Sequence, residues 1–326
     1  MKKKIVAVLS AALMSMSLGM AAYAGETEAS TEAAVDFSAV KTVVDGQLTV
    51  GTEAGFAPYE YLVGDQVEGV DIDISQAIAD KLGVKLVVQN MDFDGALAAV
   101  QQGKVDIVAA GVSVSPDREK VMDFSDKYVD SSDVIVVNAA SPAVKESSAD
   151  ALKDLTVGVQ QGNIADLWVS NPDNASPKSV QRYTKFAQAA ADLANSKIDC
   201  IVMDKVPAEE LVKSSDGKLA IVDGDPVFED SYAIALQKGN DQMKSAVNAV
   251  IEELKKSGEM DQIFASHAAS SETEVETEAS TEALEDNCWM KGKSIVGGTS
   301  VKTGAPPLWR IQDRRRLKHE LAEEYR

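Results

Sequence analysis

The chain has 326 residues and is 45% hydrophobic, which allows one large or two medium domains with an ample core. Its formal net charge of -20 argues against nucleic acid and anionic membrane as partners, because phosphate groups would repel it. Two cysteines, Cys200 and Cys288, define no disulfide framework. With His267 and His319 as the histidines, no Cys/His cluster has metal-ligand spacing, so neither a metal nor a cofactor is expected.

The N-terminus reads as a secretory leader. Met1-Lys2-Lys3-Lys4 is a positive n-region, Ile5–Met20 is apolar with small residues, and Ala22-Tyr23-Ala24 fits a small-x-small cleavage pattern. Residues 1–24 are assigned to a signal peptide cleaved near Ala24. No cysteine sits there to carry a lipid anchor, and no later apolar stretch is long enough to span a bilayer. The mature protein is expected to be soluble, in the periplasm or outside the cell. The octapeptide ETEASTEA occurs at Glu26–Ala33 and again at Glu276–Ala283, each within acidic sequence nearly free of large apolar residues. Residues 25–45 and 268–283 are therefore read as linkers bracketing the folded part. Residues 284–326 carry nine Lys/Arg against six Asp/Glu and are read as a basic tail outside the domain.

Between the linkers the chain repeats itself weakly. Leu48-Thr49-Val50-Gly51 recurs as Leu155-Thr156-Val157-Gly158. Phe93 and, eleven positions on, Lys104-Val105-Asp106-Ile107-Val108 are echoed by Phe186 and Lys197-Ile198-Asp199-Cys200-Ile201. Each half reads strand, helix, strand, helix, strand. The first has strands at Leu48–Gly51, Lys85–Gln89 and Ile107–Ala110, with helices at Asp73–Leu82 and Phe93–Gln102. Asp73 is the expected N-cap and Gly83 the C-terminal stop of the first helix. The second half has strands at Thr156–Val159, Ser179–Tyr183 and Cys200–Met203, with helices near Ala165–Val169 and Phe186–Asn195. Alternation of this kind implies parallel sheets with helices on both faces. Continuous apolar runs such as DIVAAG and DCIVMD fit strands covered on both sides, and they make Cys200 a core thiol.

Two α/β lobes of similar design predict a cleft, with ligand beyond the carboxyl ends of the strands. The loops there are EAGFAPYEY, NMDFDG, AGVSVSPDR, QQGNIAD and MDKVPAE. Arg118 is the one arginine among them, and its guanidinium can fork onto a carboxylate. Ser113 adds a hydroxyl and an N–H, and Asn163 and Ile164 open a helix whose free N–H groups favour an anion. Asp204, with a backbone carbonyl at Ala110 or Gly111, suits an ammonium group. Phe56 and Phe93 offer flat apolar surfaces. The set describes an α-amino acid, although singly Arg118 could pair with Asp117 or Glu119 on the surface, Phe93 could be core as its echo Phe186 is expected to be, and Asp204 could cap the following helix.

These residues resemble the bacterial extracellular solute-binding proteins of family 3, the polar amino-acid receptors of ABC importers. The resemblance runs from about Leu48 to Phe264 through GTEAGFAPYEY, GVDIDISQAIADKLG, MDFDGALAAVQQGKVDIVAAGVSVSPDREKVMDFSDKY, VGVQQGN and KIDCIVMD. It implies the type II periplasmic-binding-protein fold: α/β, two-lobed, two open and mostly parallel sheets joined by a two-strand hinge. The lobes are expected at 46–131 with a return at 232–267, and at 132–231, with the hinge near Asp130–Asp133 and Glu229–Tyr232. By the resemblance, Arg118 and Ser113 take the ligand carboxylate, Asp204 and the carbonyl near Gly111 take the α-ammonium, and Phe56 and Phe93 sandwich the side chain. Glu53 faces the ligand's distal end, which favours arginine or lysine, then glutamine or histidine; pairing of Glu53 with a cleft lysine such as Lys205 would weaken that preference. Val70 departs from the family's usual aromatic. Gly162-Asn163-Ile164 lacks a usual hydroxyl at the second-lobe loop. The implied partner is an ABC permease, the implied state a monomer, and no catalytic residue is assigned. Two rivals share the fold. A cyclohexadienyl-dehydratase-like enzyme would need an acid in the cleft, for which Glu53 is the candidate. A receptor's sensor module would need a membrane span after the domain.

Overall fold

The computed structural model describes residues 35–268. The expected signal peptide, both copies of ETEASTEA and the basic tail lie outside the described residues. The first sheet runs β4-β1-β5-β13-β6 and the second β11-β7-β10-β8-β9, with β12 also on β7. Their strands, in chain order, are β1 (Gln47–Thr52), β2 (Tyr61–Val63), β3 (Gln66–Glu68), β4 (Lys85–Asn90), β5 (Ile107–Val108), β6 (Met122–Phe124), β7 (Val129–Asn138), β8 (Thr156–Gln160), β9 (Ser179–Tyr183), β10 (Cys200–Asp204), β11 (Leu219–Ile221), β12 (Phe228–Tyr232) and β13 (Ala235–Gln237). β2 and β3 form a separate hairpin. The helices are α1 (Val70–Leu82), α2 (Phe93–Gln101), α3 (Pro116–Glu119), α4 (Ile164–Val169), α5 (Phe186–Ala194), α6 (Lys205–Lys213) and α7 (Asp241–Ser257), with α8 over residues 259–268.

β4, β1 and β5 are parallel, as are β9, β8 and β10, while β13 and β7 enter their sheets antiparallel. This is the two-lobed type II periplasmic binding fold. Its hinge is explicit in the register: β7 leaves the first lobe, β12 returns to it, and the two pair antiparallel from Val129↔Tyr232 to Asp133↔Phe228. The internal echo has a physical basis. In the first half Asp106 accepts from the amide of Thr49 at 2.6 Å, and in the second Asp199 accepts from the amide of Thr156 at 2.7 Å. Each aspartate ties the entrance of its lobe's third strand to the first strand.

One expectation at α1 is corrected. The helix begins at Val70, three residues before Asp73, because Gly69 turns the chain at φ 136° and the amides of Val70 and Asp71 find the carbonyls of Pro58 and Tyr59. A Cβ at Gly69 would lie 2.1 Å from the Tyr59 carbonyl oxygen, so the position requires glycine. Asp73 is therefore not the cap. It is buried and takes the Nε2–H of His267 on α8 at 2.9 Å, while His267 Nδ1 meets the Tyr61 hydroxyl at 3.0 Å. A carboxylate can only accept, so the Nε2 that faces Asp73 carries a hydrogen. Gly83 ends α1 in the left-handed region as expected, and Cys200 is fully buried, its thiol pushed up to about 12 by desolvation.

His267→Ala leaves the buried Asp73 without its imidazole donor, at a cost of about 1–3 kcal/mol for an unmet buried acceptor. The expected result is a Tm lower by roughly 3–8 °C with ligand affinity retained, read by thermal denaturation and calorimetry. An unchanged Tm would show that α8 does not stabilise the first lobe through this contact.

Candidate functional site

The site forms where strand ends of the two lobes meet. Arg118, on α3, is 5% exposed rather than on the surface. Neither Asp117 nor Glu119 holds it: Asp117 pairs with Lys120. Ser115 caps α3 by accepting the Arg118 amide, and Pro116 starts the helix with φ preset. The guanidinium donates to the Ser113 carbonyl at 2.6 Å and, across the cleft, to the Gly162 carbonyl at 2.8 Å. It lies 5.6 Å over the Phe93 ring, within cation–π range. Desolvation lowers its pKa to about 10, which leaves it charged at neutral pH.

Asp204 ends β10 and is fully buried. It stands at the N-cap of α6, but its side chain makes no cap bond. Instead Oδ1 accepts from the Tyr232 hydroxyl at 2.5 Å and Oδ2 from the Asn163 amide at 3.4 Å. Burial, then the nearby Asp230, pushes its pKa up to about 7. Asn163 also caps α4, its Oδ1 accepting the Ala165 amide at 2.9 Å. Ile164, half-buried, turns toward a surface cavity of about 510 Å³ that it shares with Trp168, Phe228 and Asp230.

Gly111 is held at φ 53° with its amide on Asp71 at 2.8 Å, and Asp71 also accepts from Tyr128 at 2.6 Å. A Cβ at Gly111 would come within 2.6 Å of the Phe56 ring, so glycine lets Phe56 lie against the backbone. Ala110 and Ser113, on either side, are buried.

Two findings modify the expected pocket. Phe56 is stacked on Phe186 of the second lobe, centroids 6.1 Å apart and planes 24° apart, whereas Phe93 sits beneath Arg118. Phe56 and Phe93, the two rings expected to flank the side chain, thus each meet another group of the site, Phe186 of the second lobe and the Arg118 guanidinium respectively. Phe186, expected to be plain core, is thus also a cleft residue. Glu53, 2% exposed, contacts Lys185 Nζ at 3.1 Å and accepts from Gln160 Nε2 at 3.0 Å. Its lysine partner is Lys185, at the start of α5, and not Lys205. Gln161 adds a further bridge to Asp94 at 2.5 Å. The contacts of Glu53 with Lys185 and Gln160, of Gln161 with Asp94 and of Phe56 with Phe186 join the two lobes, so the structure is a closed one.

The sequence profile of the bacterial extracellular solute-binding proteins, family 3, matches residues 48–269. The chain belongs to that family. It is 30% identical over 224 residues to the arginine-binding extracellular protein ArtP of Bacillus subtilis, covering 67% of this chain and 84% of that one. It is 33% identical to a probable histidine-binding protein of Neisseria gonorrhoeae, over 68% of this chain and 82% of the relative. Among solved structures it resembles an ancestral arginine-binding protein bound to arginine, with TM-score 0.62, 36% identity and coverage of 68% and 97%. It also resembles the holo form of the arginine-binding protein of T. maritima, with TM-score 0.60, 33% identity and coverage of 64% and 91%. These relatives are binding proteins. The family is extracellular, and no helix among the described residues is long and apolar enough to cross a membrane.

Proposed function

We propose that this solute-binding protein is the receptor of an ABC importer for a free polar or basic L-amino acid, working as a monomer that closes over its ligand and delivers it to a membrane permease. The observation that carries the reading is the buried Arg118 set across the cleft from the buried Asp204, a guanidinium for the carboxylate and a carboxylate for the ammonium. Ser113, Asn163 and Ile164 flank the carboxylate end, Ala110 and Gly111 the ammonium end, and Phe56 and Phe93 the side chain. Sheet membership supports lobes at 46–131 with 232–267 and at 132–231. Because both lobes would contact the ligand only when closed, binding shifts the population toward the closed state. A thermal-shift screen of the twenty amino acids tests the reading: a ligand of the native state raises Tm, and no response to any of them would overturn it. No chemistry on the ligand is proposed. Glu53, the acid that the sequence offered for a dehydratase, is tied to Lys185 and Gln160 and is poorly set to protonate a leaving hydroxyl.

The ligand is proposed to be cationic, arginine or lysine first, then glutamine or histidine. Glu53, Glu60, Asp71, Asp133 and Asp204 are all buried near the cleft, and Arg118 and Lys185 are the cations among them. Lys185 is 40% exposed at its side chain, so a ligand cation can displace it from Glu53 toward water. Affinities for arginine, lysine, glutamine, histidine, glutamate and leucine should follow that order, with the last two weakest. Glu53→Gln should cost arginine at least about tenfold, or ~1.4 kcal/mol. Tight glutamate or leucine binding without response to the other four would refute the ranking. Unchanged arginine binding in Glu53→Gln would remove Glu53 from the distal end.

A further inference from the structure

Three aspartates meet at the hinge. Asp133 on β7 is the register partner of Asp204 on β10, and Asp230 lies on β12, which pairs with β7 on the hinge side. One carboxylate oxygen from each lies within 4.8 Å of the others. Asp133 is fully buried, and neither of its oxygens has a hydrogen-bond partner. Like charges opposed across a ladder destabilise it, and an unmet buried carboxylate is costly, so this arrangement calls for a cation.

We propose that Asp133 and Asp230 join Asp204 in a three-carboxylate seat for the ammonium group of the ligand, and that the ammonium enters in exchange for a proton. The inference rests on the amino-acid reading above. It adds two specificity residues on the strands that bend and ties occupancy of the seat to them. In the ligand-free protein the carboxyls hold protons, because three ionised carboxylates at this separation repel one another without water to screen them. When the ammonium docks, one carboxyl O–H bond breaks and its proton passes to buffer. No bond to the ligand forms beyond hydrogen bonds. Asp230 is half-buried and also lines the surface cavity of about 510 Å³, which gives the proton a way out.

The groups facing the seat are few. β12 contributes the Tyr232 hydroxyl, bonded to Asp204, and the loop before α4 contributes Asn163. The Ser113 and Ser131 hydroxyls favour the charged form of Asp230, as do Arg118 and Lys127 at longer range. Tyr59 lies close enough to feel both Asp204 and Asp230, and Lys205, which opens α6, is exposed. Among the described residues no cation contacts Asp133. Burial raises all three carboxyls from their ordinary value, in keeping with protons held until the ligand arrives.

The test is calorimetric titration of the intact protein with L-arginine at about pH 7, in two buffers of different ionisation enthalpy, for wild type, Asp133→Asn and Asp230→Asn. The expected result is net proton release in the wild type, affinity rising from pH 6 to pH 8, and less proton release in each variant. Asp133→Asn should also lose at least about tenfold in affinity, since it removes an acceptor from a desolvated ammonium. Two variants on different strands guard against one failing to fold. Arginine binding with no proton exchange, and at wild-type affinity in both variants, would overturn the seat while leaving the receptor reading standing. No binding of any amino acid would remove both. The titration is repeated with EDTA and with added calcium: unchanged affinity supports the ammonium, whereas a calcium-dependent rise in Tm lost in Asp133→Asn would assign the triad to a metal ion and overturn the proposal.

Discussion

Arg118→Ala should abolish amino-acid binding, with an affinity loss of about 2–5 kcal/mol, the range for removing one partner of a desolvated charge pair. The guanidinium is buried, keeps its charge, and spends two of its five donors on the Ser113 and Gly162 carbonyls. The remaining donors are free to fork onto a carboxylate while the Phe93 ring fixes the plane. The bond to Gly162 gives Arg118 a second duty, because it links the lobes. Arg118→Lys separates the two roles. It keeps the charge but cannot offer parallel N–H groups, so it should recover little affinity if the ligand carboxylate is the partner. If Arg118 served only as a latch between lobes, lysine reaching Gly162 would recover most of it. Calorimetry on both variants, with circular dichroism confirming the fold, decides the matter. Wild-type affinity in Arg118→Ala would end the assignment.

Much of this was legible in the sequence because backbone topology follows local pattern. The LTVG echo, the paired Lys-x-Asp turns and the apolar strand runs carry the two α/β lobes, and the same aspartates, Asp106 and Asp199, turn out to fasten the strands. Arg118 stood out as the one arginine among the loops that follow the strands. What was less legible depends on side-chain direction across the cleft. Phe186 looked like core because burial and cleft position give the same apolar signal; its status as the echo of Phe93 was the available clue. Lys185 precedes Phe186 directly, yet only the closed geometry brings it to Glu53. Asp73 resembled an N-cap by type and position, but Gly69 and the Pro58 and Tyr59 carbonyls had already satisfied the helix start. The Asp133–Asp204–Asp230 cluster was hidden for another reason: it joins three strands far apart in sequence, and like charges in contact contradict the usual expectation for a buried sheet.

The ligand-free protein should be more stable near pH 5.5 than near pH 8, the reverse of a protein held by buried salt bridges. Burial pushes Asp71 up to about 6 and Asp204 up to about 7, and holds Glu60 and Asp133 well above the carboxylate range. In the unfolded chain the same groups ionise near pH 4. Between those values the folded protein binds more protons than the unfolded one, so the stability they confer is present below about pH 4 and is lost as pH rises toward 7. Glu60 and Asp71 sit within the first lobe, and Glu60 hydrogen-bonds Asp71 behind Gly111, so this part of the effect does not depend on closure. The groups with the opposite sign, Asp36, Asp123 and Asp192, are lowered, so their stabilisation is present above about pH 4, stays constant from pH 5.5 to pH 8 and is lost only in more acid solution. Each proton retained across one pH unit corresponds to about 1.4 kcal/mol. One proton kept over two units is thus ~3 kcal/mol, or a Tm difference of roughly 6–12 °C for a protein of this size. Saturating ligand should flatten the profile, because its ammonium replaces protons at Asp204 while Glu60 and Asp71 titrate as before. A Tm that climbs from pH 5.5 to pH 8 without ligand would mean that these carboxyls are ionised in the folded state, and would withdraw both the buried acid pair and the proton-held hinge.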